Sequence, residues 1–184
     1  DRPLKIAAKA GPTAMERDYF ENVFRPAMKA AGSLVEYLGE LDQHDRDDLF
    51  AQSYASLMPG SWPEPFGLVM IESLASGTPV IARRIGALPE ILRDGIDGFF
   101  GDDVAAMAFK VDRVADLDRR AIRDSVIDRF SVERMTDRYE AVYRAQVDAP
   151  VAVGPGSATA AGEGLEPEPL AAHRTDRTGT LARR

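Results

Sequence analysis

The alternation of short apolar runs with longer amphipathic stretches constrains this chain more than any other feature. Leu4 to Ala8 reads as a buried strand, followed by a turn at Gly11-Pro12 and a helix from about Ala14 to Ala30. Leu34 to Leu38 predicts a second strand, and Asp42 to Ser53 a second helix with Leu49 and Phe50 turned inward. Ala55 to Met58 is a third strand ending at Pro59-Gly60, Phe66 to Ser76 a helix, and Pro79 to Ala82 a fourth strand. A short helix near Pro89 and a brief strand at Gly98 to Phe100 complete the series. Strands this short, separated by helices, build βαβ units. The expected fold class is therefore α/β, a Rossmann-like, doubly wound parallel sheet with right-handed crossovers.

From Asp102 onward the chain reads as helical. Asp116 to Phe130 and Ser131 to Gln146 carry apolar residues at helical spacing, and the stripe of Met135, Tyr139, Val142 and Tyr143 is expected to be core. Ser131 is the expected N-cap of the last helix. Beyond Asp148 the composition shifts to Ala, Gly, Pro, Thr and charged residues, with almost no large apolar side chains. Such a segment cannot bury enough surface to offset its ordering entropy. The expected organisation is a domain over residues 1–147, incomplete at its N-terminus, and a disordered tail over 148–184. A start at Asp1 rather than Met reads as a fragment or a processed product.

Composition removes several function classes. The formal net charge of −7 opposes non-specific nucleic-acid binding, which needs clustered Lys and Arg to displace phosphate counterions. A small basic pocket, and so a phosphate ligand, stays compatible with that balance. With no cysteine there is no disulfide, thiolate zinc site or thiol nucleophile, a pattern that suits a reducing cytoplasm. The only histidines, His44 and His173, lie in polar surroundings, so neither a Ser-His-Asp triad nor a multi-histidine metal site is expected. No apolar run approaches the roughly 18–20 residues of a membrane span, and no signal-peptide pattern opens the visible chain.

The most informative stretch runs Ser61-Trp62-Pro63-Glu64-Pro65-Phe66-Gly67-Leu68-Val69-Met70-Ile71-Glu72 and continues through Ala75-Ser76-Gly77-Thr78-Pro79-Val80-Ile81-Ala82. It joins a strand to a helix at the carboxyl edge, where open parallel sheets take their ligands. Pro63 and Pro65 stiffen the approach and hold Glu64 extended. Gly67 allows backbone to come close to a ligand. The amides of Gly67, Leu68 and Val69 at the helix start can hold a phosphate. Glu72, five residues further on, can accept both hydroxyls of a ribose cis-diol. Two glutamates eight apart are weak evidence; Pro-Phe-Gly between them and the Ala-x-Gly-x-Pro-Val-Ile-Ala run after them are far more specific.

That stretch resembles the EX7E signature of retaining glycosyltransferases with two Rossmann-like domains, in particular family 4, the group 1 glycosyltransferases. Val35-Glu36-Tyr37-Leu38-Gly39-Glu40-Leu41 is similar to the family's strand and loop beside the nucleotide base. Gly86-Ala87-Leu88-Pro89-Glu90-Ile91 and Asp94-Gly95-Ile96-Asp97-Gly98-Phe99 resemble its following loops. Phe130-Ser131, Arg134-Met135, Tyr139-Glu140 and Tyr143 resemble its terminal helices, and Lys5-Ile6-Ala7-Ala8-Lys9 is similar to a bacterial branch. The likeness spans roughly residues 4–146. It implies the C-terminal, donor-binding half of a GT-B fold. Glu72 would bind the ribose hydroxyls and Glu64, the catalytic candidate, would face the donor sugar. Phe66, Gly67, Leu68 and Val69 would line the sugar and diphosphate through backbone atoms, and Leu38, Gly39, Glu40 and Leu41 would lie near the base. Lys9, at the end of a predicted strand, either meets a phosphate or is a surface lysine with a buried stem. Arg83 and Arg84 have the same two readings.

The resemblance also implies parts that are not in view: a first strand near the centre of the sheet, an Arg and a Lys that neutralise the departing diphosphate, and an acceptor-binding N-terminal domain. The family transfers a sugar from a nucleotide diphosphate to an acceptor with retained configuration, by front-face attack in which the leaving phosphate assists proton removal. Stabilisation of that leaving group is normally a dominant contribution, so this chain alone is expected to be inactive. No cofactor or metal is implied beyond the donor, whose base is open. The acceptor would be a saccharide or lipid-linked glycan, in keeping with polysaccharide assembly. The location implied is cytoplasmic, with peripheral membrane association through the absent domain left open. The competing readings are a non-catalytic nucleotide-sugar-binding module or pseudo-enzyme acting with a separate chain, a sugar epimerase of the same plan, and a dinucleotide-dependent oxidoreductase. The last is disfavoured by the lack of Gly-x-Gly-x-x-Gly after a visible strand.

Overall fold

A computed structural model describes residues 2–148; apart from Asp148, the predicted tail lies outside the described residues. Strand β1 (Leu4–Ala7) leads to a helix built in three parts: α1 (Ala14–Tyr19), a π-helical turn (Phe20–Phe24) and α2 (Arg25–Ala31). Thr13 starts α1 with a capping box, its hydroxyl accepting from the Glu16 amide while the Glu16 carboxylate returns to the Thr13 amide. Pro26, which has no amide to donate, directly follows the π-helical turn within this continuous helical run. Phe20 and Phe24 pack on Tyr37 with ring centroids 5.3 Å apart, which fastens this helix to β2 (Val35–Gly39).

Helix α3 (Gln43–Gln52), capped by Asp42, buries Phe50 and half-buries Leu49, close to expectation. Next come β3 (Ser56–Met58), α4 (Leu68–Ala75), β4 (Val80–Ala82), the short α5 (Leu88–Ile91) and β5 (Gly98–Phe100). Helix α6 (Val104–Lys110), a 3-10 segment (Val111–Asp116), α7 (Arg119–Phe130) and α8 (Val132–Asp148) close the described chain. Every expected strand is present: the first, third and fourth are one residue shorter, the second is shifted by one residue, and the fifth has the expected bounds. Among the described residues no helix is long and apolar enough to cross a membrane.

All strand pairs are parallel, as the βαβ reading requires. They form two pieces: β1 beside β2, and β3-β4-β5 with β4 central. The Arg2 guanidinium lies 3.6 Å above the Tyr54 ring, linking the start of β1 to the approach of β3. The core belongs to the three-stranded piece. Met70 and Leu74 of α4 and Ile122 and Val126 of α7 pack on Val80 and Ala82, while Ile81 joins Phe99, Met107 and Val114 on the other face. Each of these side chains larger than alanine contributes about 1.5–3 kcal/mol by leaving water.

The Gly-x-Pro run is explained by the way α4 ends. The Gly77 amide donates to the Leu74 carbonyl and the Thr78 amide to that of Ser73, which closes the helix. The buried Thr78 hydroxyl then donates to the Phe50 carbonyl at 2.6 Å and accepts from Arg119. Arg119 also reaches the Ser53 carbonyl at 2.9 Å, so one guanidinium ties α3, β4 and α7 together. One expectation is corrected. Met135, Tyr139, Val142 and Tyr143 are exposed on α8, not core, because no described element covers that stripe. Ser131 caps α8 as expected, its hydroxyl accepting from the Arg134 amide.

Candidate functional site

The loop between β3 and α4 is shaped by contacts that no local spacing reveals. Ala87 donates its amide to the Glu64 carbonyl at 2.8 Å. Gly86, at φ +57°, presses against the same backbone: a β-carbon there would lie 2.5 Å from the Glu64 carbonyl oxygen and 2.6 Å from its nitrogen. The turn after β4 thus grips Glu64. Turn geometry alone would call for a glycine at 86, but close approach is the stronger requirement.

The Glu64 side chain turns along the loop toward the start of α4. Its Oε1 accepts from the Gly67 amide at 3.0 Å and the Phe66 amide at 3.4 Å. Gly67 is the N-cap, in the left-handed region at φ +91°, and has no side chain with which to cap. A carboxylate three residues upstream takes over that role, favoured by the positive end of the helix. Of the three amides assigned to a ligand, that of Gly67 thus donates to Glu64 in this ligand-free chain. The Leu68 and Val69 amides have no hydrogen-bond partner among the described residues. Around them the side chains of Trp62, Phe66, Leu68 and Val69 are exposed.

Glu72, in the second turn of α4, has a partner that the sequence did not suggest. Arg46 on α3 donates from Nη2 to Glu72 Oε1 at 2.9 Å, and both side chains are about one-third exposed. Arg46 Nε and Glu72 Oε2 are buried with no hydrogen bond. The contact joins residues 26 apart, which no periodicity could predict. Lys9 and Glu40, at adjacent strand ends, form a 3.4 Å pair that is well exposed and so worth little. Gly39 bends the chain there at φ +74°, with Leu38 and Leu41 half-buried on either side. Arg84 lies over the Phe100 ring at 4.1 Å and 4.0 Å from Asp94, which fits the surface-pair reading. His44, at the start of α3, pairs with Asp48 on an exposed face.

Side-chain contacts group the candidates into three sets: Glu64 with Phe66 and Gly67, Glu72 with Arg46, and Lys9 with Glu40. A concavity of about 350 Å³ beside the loop is lined by Pro65, Phe66, Glu90, Arg129 and Arg138, among others, and takes in neither Glu64 nor Glu72. Beneath it, Asp97 is fully buried and accepts from the Arg93 amide and guanidinium and from Arg129. Hydrogen bonding to Asp97 raises the Arg93 pKa above its ordinary value. Burial outweighs the same carboxylate at Arg129 and lowers its pKa. This buried cluster was not singled out from the sequence. It holds the turn before β5 against α7, and so supports α5, whose Leu88 and Ile91 pack on Gly67.

Parallel strands, a loop-to-helix junction at their carboxyl ends and two open helix amides define an α/β domain of the ligand-binding, doubly wound class. Comparison with known proteins makes the class specific. Residues 27–123, more than half of the chain, match the family described as glycosyl transferases group 1, and the chain belongs to that family. N-acetyl-alpha-D-glucosaminyl L-malate synthase of Bacillus anthracis is 34% identical over 117 residues, 59% of this chain and 30% of that protein. D-inositol 3-phosphate glycosyltransferase of Mycobacterium leprae (strain TN) is 42% identical over 93 residues, 46% of this chain and 22% of that one. Among solved structures, AviGT4, a glycosyltransferase involved in avilamycin A biosynthesis, matches with a TM-score of 0.62 at 28% identity. That match covers 81% of this chain and 44% of AviGT4. Anabaena HepE in complex with UDP matches with a TM-score of 0.68 at 20% identity, over 78% of this chain and 41% of HepE, a likeness of fold alone. This chain therefore spans under a third of these curated relatives and under half of these solved chains.

Proposed function

We propose that this chain is the donor-binding half of a retaining glycosyltransferase, taking a nucleotide-diphosphate sugar at the β3–α4 junction. The observation that carries the reading is the start of α4. The Leu68 and Val69 amides are open at the positive end of a helix, and Glu72 comes one turn later on the same element. Diphosphate oxygens suit the amides and a ribose diol suits the carboxylate. Glu64, locked to the Gly67 amide and the Ala87 amide, is rigid enough to face a sugar without being displaced. Leu38 to Leu41 and Lys9 flank the base and phosphate side. HepE, whose solved complex contains UDP, shares this fold, which supports a nucleotide ligand.

In the reaction, the bond from the anomeric carbon to the diphosphate oxygen breaks and a bond from the acceptor oxygen forms on the same face. The acceptor proton passes to the departing phosphate. The acceptor, a saccharide or lipid-linked glycan, and the cations that neutralise the leaving group belong to a further domain and a further strand. The open edges of β1 and β3 are in keeping with that strand. The 184 residues alone should transfer no sugar.

Titration calorimetry of the 184-residue chain with UDP, GDP and ADP tests the reading. At least one should bind, and Glu72→Gln should weaken it about tenfold by removing an anionic acceptor worth about 1.4 kcal/mol. A folded chain that binds none of the three, or binds equally well with Gln at 72, overturns the assignment.

A further inference from the structure

Ion pairs in the described structure fall into two groups. Those of Lys5, Lys9, Arg25, His44, Arg84 and Arg144 are at least half exposed on both partners, where solvent screens them. Among the described residues, only the Asp97 cluster and the Arg46–Glu72 pair are substantially buried. The Asp97 carboxylate is saturated: both oxygens accept guanidinium bonds and one accepts an amide as well. Arg46 and Glu72 differ. They make one bond, and the second half of the guanidinium–carboxylate fork, Nε toward Oε2, is unmade with both atoms buried. An unpaired buried Nε also occurs at Arg129 in the Asp97 cluster, so the atom that sets this pair apart is Glu72 Oε2, a buried carboxylate oxygen with no donor, which is costly to leave unmade.

We propose that Arg46 is a positioning residue for the nucleotide's ribose. It holds Glu72 by Oε1 and leaves Oε2 as the acceptor for a ribose hydroxyl. This rests on the donor-binding reading above and names a residue of that same site. Oε2 is covered in the ligand-free form, so the hydroxyl engages once the side chains over it move aside. Arg46 keeps Oε1 anchored, so the carboxylate plane stays fixed while Oε2 is uncovered. It also sets a positive charge beside a carboxylate that must accept a diphosphate in its neighbourhood, on a chain of net charge −7. Because Arg46 lies on α3 and Glu72 on α4, the pair couples the element after β2 to the element after β3.

The test is discrimination between ribose and deoxyribose. Affinities of the 184-residue chain for UDP, GDP and ADP, each beside its 2′-deoxy counterpart, give a ribose preference for the nucleotide that binds. Arg46→Met should cut that preference about tenfold, close to the preference of Glu72→Gln, with the double variant no worse than either. Arg46→Lys should restore part of it, because an ammonium still anchors Oε1 without the fork. Urea unfolding of each variant identifies those that fold. A folded Arg46→Met chain with its ribose preference unchanged within about twofold overturns the proposal, as does equal loss for both sugars, which marks Arg46 as a packing residue or general charge. A wild-type chain that binds no nucleotide refutes the donor-binding reading itself, a distinct outcome.

Discussion

Replacing Gly86 with alanine tests whether the turn after β4 holds Glu64 in place. The new β-carbon would sit 2.5 and 2.6 Å from the Glu64 carbonyl oxygen and nitrogen and 2.9 Å from the Pro63 carbonyl carbon. Those atoms are backbone, so relief requires the two loops to part by close to 1 Å, an overpacking cost of about 1–3 kcal/mol. The same movement breaks the 2.8 Å Ala87-to-Glu64 bond, worth about 1 kcal/mol. A β-carbon at φ +57° adds about 1 kcal/mol. Gly95→Ala is the control: its φ is +77°, but no atom lies within 4 Å, so it carries backbone strain alone. The expected losses are about 3–5 kcal/mol at Gly86 and about 1 kcal/mol at Gly95. With a urea slope near 2 kcal/mol/M, the midpoints fall by about 1.5–2.5 M and about 0.5 M. Far-UV circular dichroism measures both, and the indole N–H resonance of Trp62, the only tryptophan, reports locally on the loop. It should shift with alanine at 86 and stay put with alanine at 95. Equal midpoint losses, or an unmoved Trp62 signal in a folded Gly86→Ala chain, would refute the idea that these loops are locked together.

Charged groups give two further expected outcomes. Asp97→Ala strands Arg129 beside its orphaned Nε and releases the turn before β5. It should lower stability by about 3 kcal/mol, at the low end for a broken buried pair because half-exposed Arg93 can regain water; a urea midpoint within about 0.5 M of wild type would contradict this. The Glu16 pKa is lowered by its side-chain and backbone hydrogen bonds with Thr13. A depressed carboxylate contributes stability above its unfolded-state value, and the contribution is lost as pH falls through the folded value. The start of α1 should therefore loosen on acidification below about pH 4. Thr13→Ala should move the Glu16 titration upward in side-chain carboxyl NMR; an unchanged titration would show the capping box to be without effect.

The fold was legible because its signals are local. Apolar runs such as Val80-Ile81-Ala82 are bounded by Pro79 and the polar Arg83, so both the strand and its ends can be read from neighbours. Much of the Glu64–Glu72 loop was legible too, since Pro, Gly and a subsequent amphipathic run describe a strand-to-helix junction wherever they occur. What could not be read were contacts across the sequence: Arg46 with Glu72, Gly86 with Glu64, Arg119 with Thr78 and Arg129 with Asp97. An arginine on a polar helix looks the same whether it faces water or a carboxylate 26 residues away. The α8 stripe shows the converse error. Periodicity reports which face of a helix is apolar, not whether anything covers it, and Met135, Tyr139 and Tyr143 stand exposed.

The eight-residue spacing of the two glutamates has a physical basis in this structure. Glu64 reaches forward three residues to Gly67, whose missing side chain creates the need for a cap and whose left-handed backbone lets the loop turn into the helix. The helix then begins at Leu68 with two open amides, and Glu72 lies at the start of its second turn. One carboxylate is thus tied to the backbone upstream of the amides, and the other is tied downstream to a different helix through Arg46. Shifting Glu72 by one residue would break its tie, since one step rotates a helical side chain by about 100°, and shifting Glu64 would change its three-residue reach to Gly67. The spacing therefore records two separate constraints that meet at one helix start, which is why the pair alone is weak evidence while the pair with Gly67 between them is strong.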